Sequence, residues 1–210
     1  MSSRGSSAGS AWPERRRAGR PVSLTAVLAY VFWHVAAAEV APADYEARLG
    51  AFHAALRDDR PPGLGLTATV ALEAIPWLDG AGGYEDWYLV DDFAALGILN
   101  AAAVSGSRQP PHDEAAAAAH AGVAGIMGHV SGPLLPERPG WAAWLGKPAG
   151  MAYRTFHAEL WAALGNDASV WQRQMTLGPA AEYCIVAPAE HALPWPARSW
   201  PLRSVVAPAG

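Results

Sequence analysis

The chain has 210 residues, 51% hydrophobic and 16% charged, with a formal net charge of -4 and a pI near 5.9. That composition is too apolar for a disordered chain and too acidic for a nucleic-acid surface, which needs clustered Lys and Arg. A single cysteine, Cys184, excludes an internal disulfide and a thiolate metal cluster, and is compatible with a reducing, cytoplasmic compartment.

In the N-terminal segment, residues 1–21 are rich in Ser, Gly and Arg and read as a disordered tail. Arg15, Arg16, Arg17 and Arg20 precede the apolar run Val22–Val35, which Ala36-Ala37-Ala38 follows. Basic, apolar and small-residue regions in that order resemble a secretory signal, which would make the protein exported. Tyr30, Phe32, Trp33 and His34 inside the run suit a strand better, and the run is too short for an ordinary membrane-spanning helix.

The first unit covers residues 22–131. Leu24–Val35 reads as a buried strand with Tyr30, Phe32 and His34 on one face and Val31, Trp33 and Val35 on the other. Pro42 opens a helix in which Tyr45, Leu49, Phe52 and Leu56 recur at helical spacing, ending before Pro61-Pro62-Gly63. Leu66–Ile75 alternates as a half-polar strand, with Thr67, Thr69 and Glu73 opposite Leu66, Val70 and Leu72. Past a glycine-rich loop, Tyr84–Val90 is a third strand. Asp91 or Asp92 then caps a helix carrying Phe93, Leu96 and Leu99 on one face. A short helix from His112 to Ala121 and a strand from Val123 to Val130, weakened by Gly125 and Gly128, complete the unit. The order β-α-β-β-α-β is the split βαβ pattern of an α+β, ferredoxin-like domain with an antiparallel sheet.

Residues 132–140 are proline-rich and read as a linker. The pattern then restarts over 141–190, with a strand at Trp141–Leu145, a helix at Ala152–Leu164, and strands at Val170–Leu177 and Glu182–Val186. Tyr45, Phe52 and Ala54-Ala55-Leu56 align with Tyr153, Leu160 and Ala162-Ala163-Leu164, an internal repeat whose second copy lacks its second helix and last strand. Chance likeness between two alanine-rich helices is the alternative reading. The tail 191–210, with Pro194, Pro196, Pro201 and Pro208, reads as irregular structure.

Trp33–Leu56, as strand, loop and helix, resembles the dimeric α/β-barrel superfamily. So does Leu145–Leu160 (LGKPAGMAYRTFHAEL), which is similar to that group's K-P-G-M entry to a first helix, with Ala149 inserted. The group includes antibiotic-biosynthesis-type monooxygenases, the ethyl tert-butyl ether degradation-type proteins and chlorite dismutase relatives. The resemblance implies a sheet curled over an apolar cavity, completed by a second sheet from a homodimer partner or from the chain itself. It further implies a small-molecule enzyme for a hydrophobic or aromatic substrate, working by cofactor-independent oxidation or by proton transfer and cyclisation. A non-catalytic ligand-binding or assembly protein of the same fold is the alternative.

The residues offer candidates without a fixed reaction. The seven histidines form no H-x-x-x-H pair, so no metal site is expected. His34, ending the first strand beside Trp33, is the candidate acid–base, and Glu73 the candidate second group. Glu85-Asp86-Trp87-Tyr88 alternates, so the two carboxylates go to opposite faces; Trp33, Trp87 and Tyr88 are the candidate substrate-binding residues of the pocket wall. Arg173, on a strand with Trp171 and Met175, would meet either a substrate anion or an internal partner such as Glu182. Cys184 reads as core or as a nucleophile. No cofactor is expected outright. Some relatives of the fold bind haem, and by position the resemblance would make His112 or His120 the ligand; both also read as surface histidines. The expected partner is a hydrophobic small molecule, with neither nucleic acid nor membrane.

Overall fold

The computed structural model describes residues 27–210. The basic tail, the signal-like run up to residue 26 and the first residues of the expected strand lie outside them. Within the described residues, no helix is long and apolar enough to cross a membrane.

Among the described residues, eight strands and four α-helices follow in the order β1 (Leu28–Ala36), α1 (Pro42–Asp58), β2 (Leu64–Leu72), β3 (Gly83–Val90), α2 (Phe93–Ala103), α3 (Gln109–Ala117), β4 (Ala119–Ser131), β5 (Trp141–Leu145), α4 (Tyr153–Leu164), β6 (Ser169–Arg173), β7 (Tyr183–Ala187) and β8 (Arg198–Ala209). The strands form one closed antiparallel barrel, ordered β1-β3-β2-β8-β5-β7-β6-β4. Both halves therefore wind alike, with the first strand of each flanked by its third and its last. The α+β, antiparallel reading holds, and this single chain supplies all eight strands of the barrel.

Local chemistry explains most boundaries. Pro42 sits in the first turn of α1, where a missing N–H costs nothing, with Asp44 in that turn and Arg57 in the last. The Asp92 carboxylate accepts from the Ala95 N–H at 2.8 Å and caps α2. Gly165 ends α4 at a φ of 68°, a conformation glycine adopts without strain.

Two boundaries depart from the sequence reading. The helix expected over His112–Ala121 runs over Gln109–Ala117 instead: Pro110 and Pro111 occupy its first turn, which frees the alanines that follow to open β4 against the end of β1. The proline-rich tail contains a twelve-residue strand, β8, in place of irregular structure. It pairs with β5 over Arg198–Pro201 and with β2 from Leu202 onward, so Pro201 falls at the hand-over between partners. Pro208 falls in the register shift between Val206 and Ala209. Both prolines thus sit where the ladder asks least for an N–H.

Alternate residues of all eight strands meet inside the barrel: Val31 and Trp33, Val70, Trp87, Met127, Trp144, Trp171, Cys184 and Val186, with Trp200 and Leu202 from β8. Gly125 on β4 makes room there, since a Cβ at that position would lie 3.1 Å from the Trp33 ring. The linker adds Leu135 to this core. On the outer face, α4 packs Phe156, Leu160 and Leu164 against β5, β6 and β7, where Trp195 fills the remaining space. Helices α1, α2 and α3 cover the other half less completely, and the cavity lies between them and the sheet.

Candidate functional site

The cavity has a volume of about 700 Å³. Its sheet side carries Tyr30, Phe32 and His34 from β1 and Asp86 and Tyr88 from β3, residues that share one strand face by alternation. Helix α1 adds Tyr45, Leu49 and Phe52, α2 adds Phe93, Leu96 and Asn100, and α3 adds His112. Most of this lining is aromatic or aliphatic, with polar groups gathered on the sheet side.

Those groups centre on Asp86, which is 2% exposed. Thr69, its cross-strand partner, donates to Oδ1 at 2.6 Å, and the Tyr88 hydroxyl donates to Oδ2 at 2.9 Å. His34 Nε2 lies 3.3 Å from Oδ2, and His53 Nε2 lies 3.6 Å from Oδ1 and 2.8 Å from the Thr69 hydroxyl. Because Thr69 donates to Asp86, its oxygen accepts from His53. Burial by itself would raise the Asp86 carboxyl, but His34 and His53 outweigh it and hold the group well below the usual carboxylate range. Asp86 is therefore ionised at neutral pH.

His34 completes a chain through its other nitrogen, with Nδ1 2.7 Å from the Tyr45 hydroxyl. With the ring proton on Nε2, the nitrogen beside Asp86, Nδ1 accepts and Tyr45 donates. Burial, with Asp86 adding to it, raises the Tyr45 hydroxyl well above the ordinary phenol range, so Tyr45 keeps its proton at rest. The Tyr88 hydroxyl is raised for the same reasons. The line Tyr45–His34–Asp86 has the arrangement of a relay: a hydroxyl, an imidazole and an anion that stabilises the imidazolium.

The expected site residues divide by strand parity. His34 and Tyr88 reach the cavity. Trp33 and Trp87 do not: both point into the barrel, where their indole N–H groups donate to Glu85 at 2.5 and 2.6 Å. Glu73 is exposed beyond the end of β2 and lies apart from His34. Arg173 lies on β6 in the other half and donates to the carbonyls of Ala180 and Met175; the Glu182 carboxylate instead accepts from Tyr153 and Gln172. Cys184 is fully buried, and burial, with Glu85 adding to it, pushes its thiol well above the usual range, which suits core packing. Tyr45, His53 and Thr69 were missed. Tyr45 was legible only as part of the apolar stripe of α1, and Thr69 as the polar face of β2; that this face turns toward helices instead of water is a tertiary fact.

Of the two histidines considered for haem, His120 is exposed and outside the cavity, while His112 lines it. His112 Nδ1 lies 3.0 Å from Asp113 Oδ1, leaving Nε2 for an axial bond, an arrangement that suits an iron-bound imidazole. Among the described residues, no Lys or Arg lines the cavity to pair with the carboxylates of a haem. No group of three or more His, Cys, Asp or Glu among the described residues could hold a bare metal ion.

No family model matches the sequence, and no curated protein matches it either. Solved structures do. The chain superimposes on TA0507, provisionally assigned as a chlorite dismutase, with a TM-score of 0.51 and 13% identity over 87% of this chain and 96% of that one. It superimposes on a provisionally assigned monooxygenase from Lactobacillus acidophilus NCFM with a TM-score of 0.55 and 9% identity over 86% and 95%. At such identities the likeness speaks for architecture alone, and it agrees with the barrel traced above. The chain has the dimeric α/β-barrel fold, with both of its sheets drawn from one polypeptide.

Proposed function

We propose that the protein is a small-molecule enzyme that takes a proton from a hydrophobic, aromatic substrate bound between the sheet and helices α1 to α3. The observation that carries this reading is the convergence of Tyr45, His34, Asp86 and Tyr88 on one side of an otherwise apolar cavity. The substrate's acidic C–H or O–H gives its proton to the Tyr45 oxygen as Tyr45 passes its own proton to His34 Nδ1. Asp86 then stabilises the imidazolium, and the substrate is left as its conjugate base. Reprotonation elsewhere on the substrate gives tautomerisation or cyclisation; reaction of an electron-rich conjugate base with dioxygen gives cofactor-independent oxidation. Trp33, Trp87, Glu73 and Arg173 have no part in this step.

The neutral bicyclic ketone 2-tetralone provides a test, read as exchange of its acidic C–H into D₂O by NMR. We expect the wild type to accelerate exchange, with Tyr45→Phe and His34→Ala each losing about 100-fold, in the range of general acid–base contributions. Arg173→Ala should exchange as the wild type does. Exchange no faster than in buffer, or unaffected by the first two substitutions, would sink the proposal.

His112 favours a second reading, a haem protein in which His112 would hold the iron and Asp113 would orient its other nitrogen; bound haem would supply redox chemistry. A Soret band after reconstitution that is lost in His112→Ala supports it, and no band removes it. In either case a second copy of the chain is not needed to close the barrel. We place a homodimer contact on α2, where Phe93, Ile98 and Val104 are exposed and residues 93–104 carry no charge. Sedimentation as a monomer at micromolar concentration would remove that contact.

A further inference from the structure

We propose that the cavity selects an aromatic organic cation and turns anions away. The inference rests on the reading of the cavity as a small-molecule site and goes further by fixing the charge of its occupant. Three observations carry it. The lining includes the rings of Tyr30, Phe32, Phe52, Tyr88 and Phe93, whose faces carry negative quadrupole density that attracts cations. The acidic side chain among the lining residues, Asp86, is buried where water screens it poorly. Among the described residues, no Lys or Arg lines the space. The nearby guanidinium groups are turned to other tasks: Arg108 pairs with Asp59, and Arg48 donates to the Glu114 carbonyl.

Charge selection also fits the relay. A cationic substrate that gives up its proton becomes neutral, while His34 becomes an imidazolium beside Asp86. The site then keeps the same total charge and never has to hold a substrate anion against Asp86. The chemical class is an aromatic frame bearing a protonated amine or iminium nitrogen. The same field opposes a porphyrin dicarboxylate, so this inference and the haem reading stand against each other.

The experiment is titration calorimetry at neutral pH and low salt with three probes on one bicyclic frame: 1-naphthylmethylammonium, 1-naphthylmethanol and 1-naphthoate. The cation should bind about 30-fold tighter than the alcohol, the size of a desolvated cation–π contact, and the carboxylate weakest of the three. Naphthoate binding as tightly as the ammonium probe overturns charge selection while leaving the cavity as a ligand site. Failure of all three to bind overturns the ligand-site reading itself, and the inference with it. Asp86→Asn removes the charge but strips an acceptor from several buried donors and can unfold the chain. Asn100→Lys on the exposed side of α2 avoids that problem by adding a cation to the lining. It should raise naphthoate affinity and lower that of the ammonium probe; no change in either would count against the inference.

Discussion

Glu85 and Asp86 are adjacent carboxylates with opposite surroundings, because a strand sends successive side chains to opposite faces. Asp86 faces the cavity and receives hydroxyl and imidazole partners, whereas Glu85 faces the barrel interior and meets two indole N–H groups and otherwise apolar walls. Burial raises the Glu85 carboxyl to about 7, against the pull of the Trp33 and Trp87 hydrogen bonds. The native state therefore holds this proton more tightly than the unfolded chain does. The associated stability is full below the ordinary carboxylate range and is lost as pH rises through about 7, a change of about 3 kcal/mol in all. Urea unfolding from pH 5 to 8 should show the wild type losing stability relative to Glu85→Gln across that window; parallel curves would refute it. Asp86 has the opposite sign. Its folded-state carboxyl is lowered, so its contribution is present above the ordinary carboxylate range and is lost as pH falls below it. Asp86→Asn should cost about 3 kcal/mol at pH 7, the scale for breaking a buried charged network, measured as a drop in the urea midpoint. The alternation that separates these two acids can be read directly from residues 84–88. Which face meets the barrel and which meets the helices cannot, since each face carries a carboxylate and at least one aromatic ring.

Helix α2 buries only Ala95 and Leu99 and otherwise stands over the cavity with Phe93 and Ile98 exposed. A helix attached by so few buried side chains depends strongly on its ends. Asp92→Ala, which removes the cap on the Ala95 N–H, should cost about 1 kcal/mol. It should also weaken ligand binding at the cavity more than it weakens the barrel. Amide exchange is the check: protection should fall over 93–103 and stay unchanged in β1 and β3, and a uniform loss would mean that α2 is not an independently loosened element. The cap was visible in the sequence because Asp followed by an apolar helical stripe has a specific local cause. The α3 boundary was harder, because Pro110 and Pro111 stop a helix in its middle and start one in its first turn, and sequence alone does not say which.

At the scale of the whole molecule, β8 joins the two halves, pairing with β2 on one side and β5 on the other. A chain ending at Ala197 would leave β2 and β5 as open edges and expose the Trp-lined interior, an arrangement prone to edge-to-edge association. We expect that truncation to aggregate or to lose cooperative unfolding; a soluble, cooperatively folded product would show that barrel closure is dispensable.

By itself the sequence determined the types and order of the elements from β1 to β7, and the faces of the strands it recognised, because alternation, helical spacing and capping act within a few residues; the proline-rich β8 escaped it. It also determined that His34, Tyr30 and Phe32 share a face, as do Asp86 and Tyr88. Tertiary structure decided the rest. Closure of the barrel turned Trp33 and Trp87 inward to Glu85, left Glu73 in solvent, and placed Arg173 on the far half. Docking of α1 brought Tyr45 onto His34 of β1, and His53 onto Thr69 of β2 and Asp86 of β3. A site built from residues 45, 34, 86, 69 and 53 has no spacing to read, because the contacts that define it form only when separate elements pack.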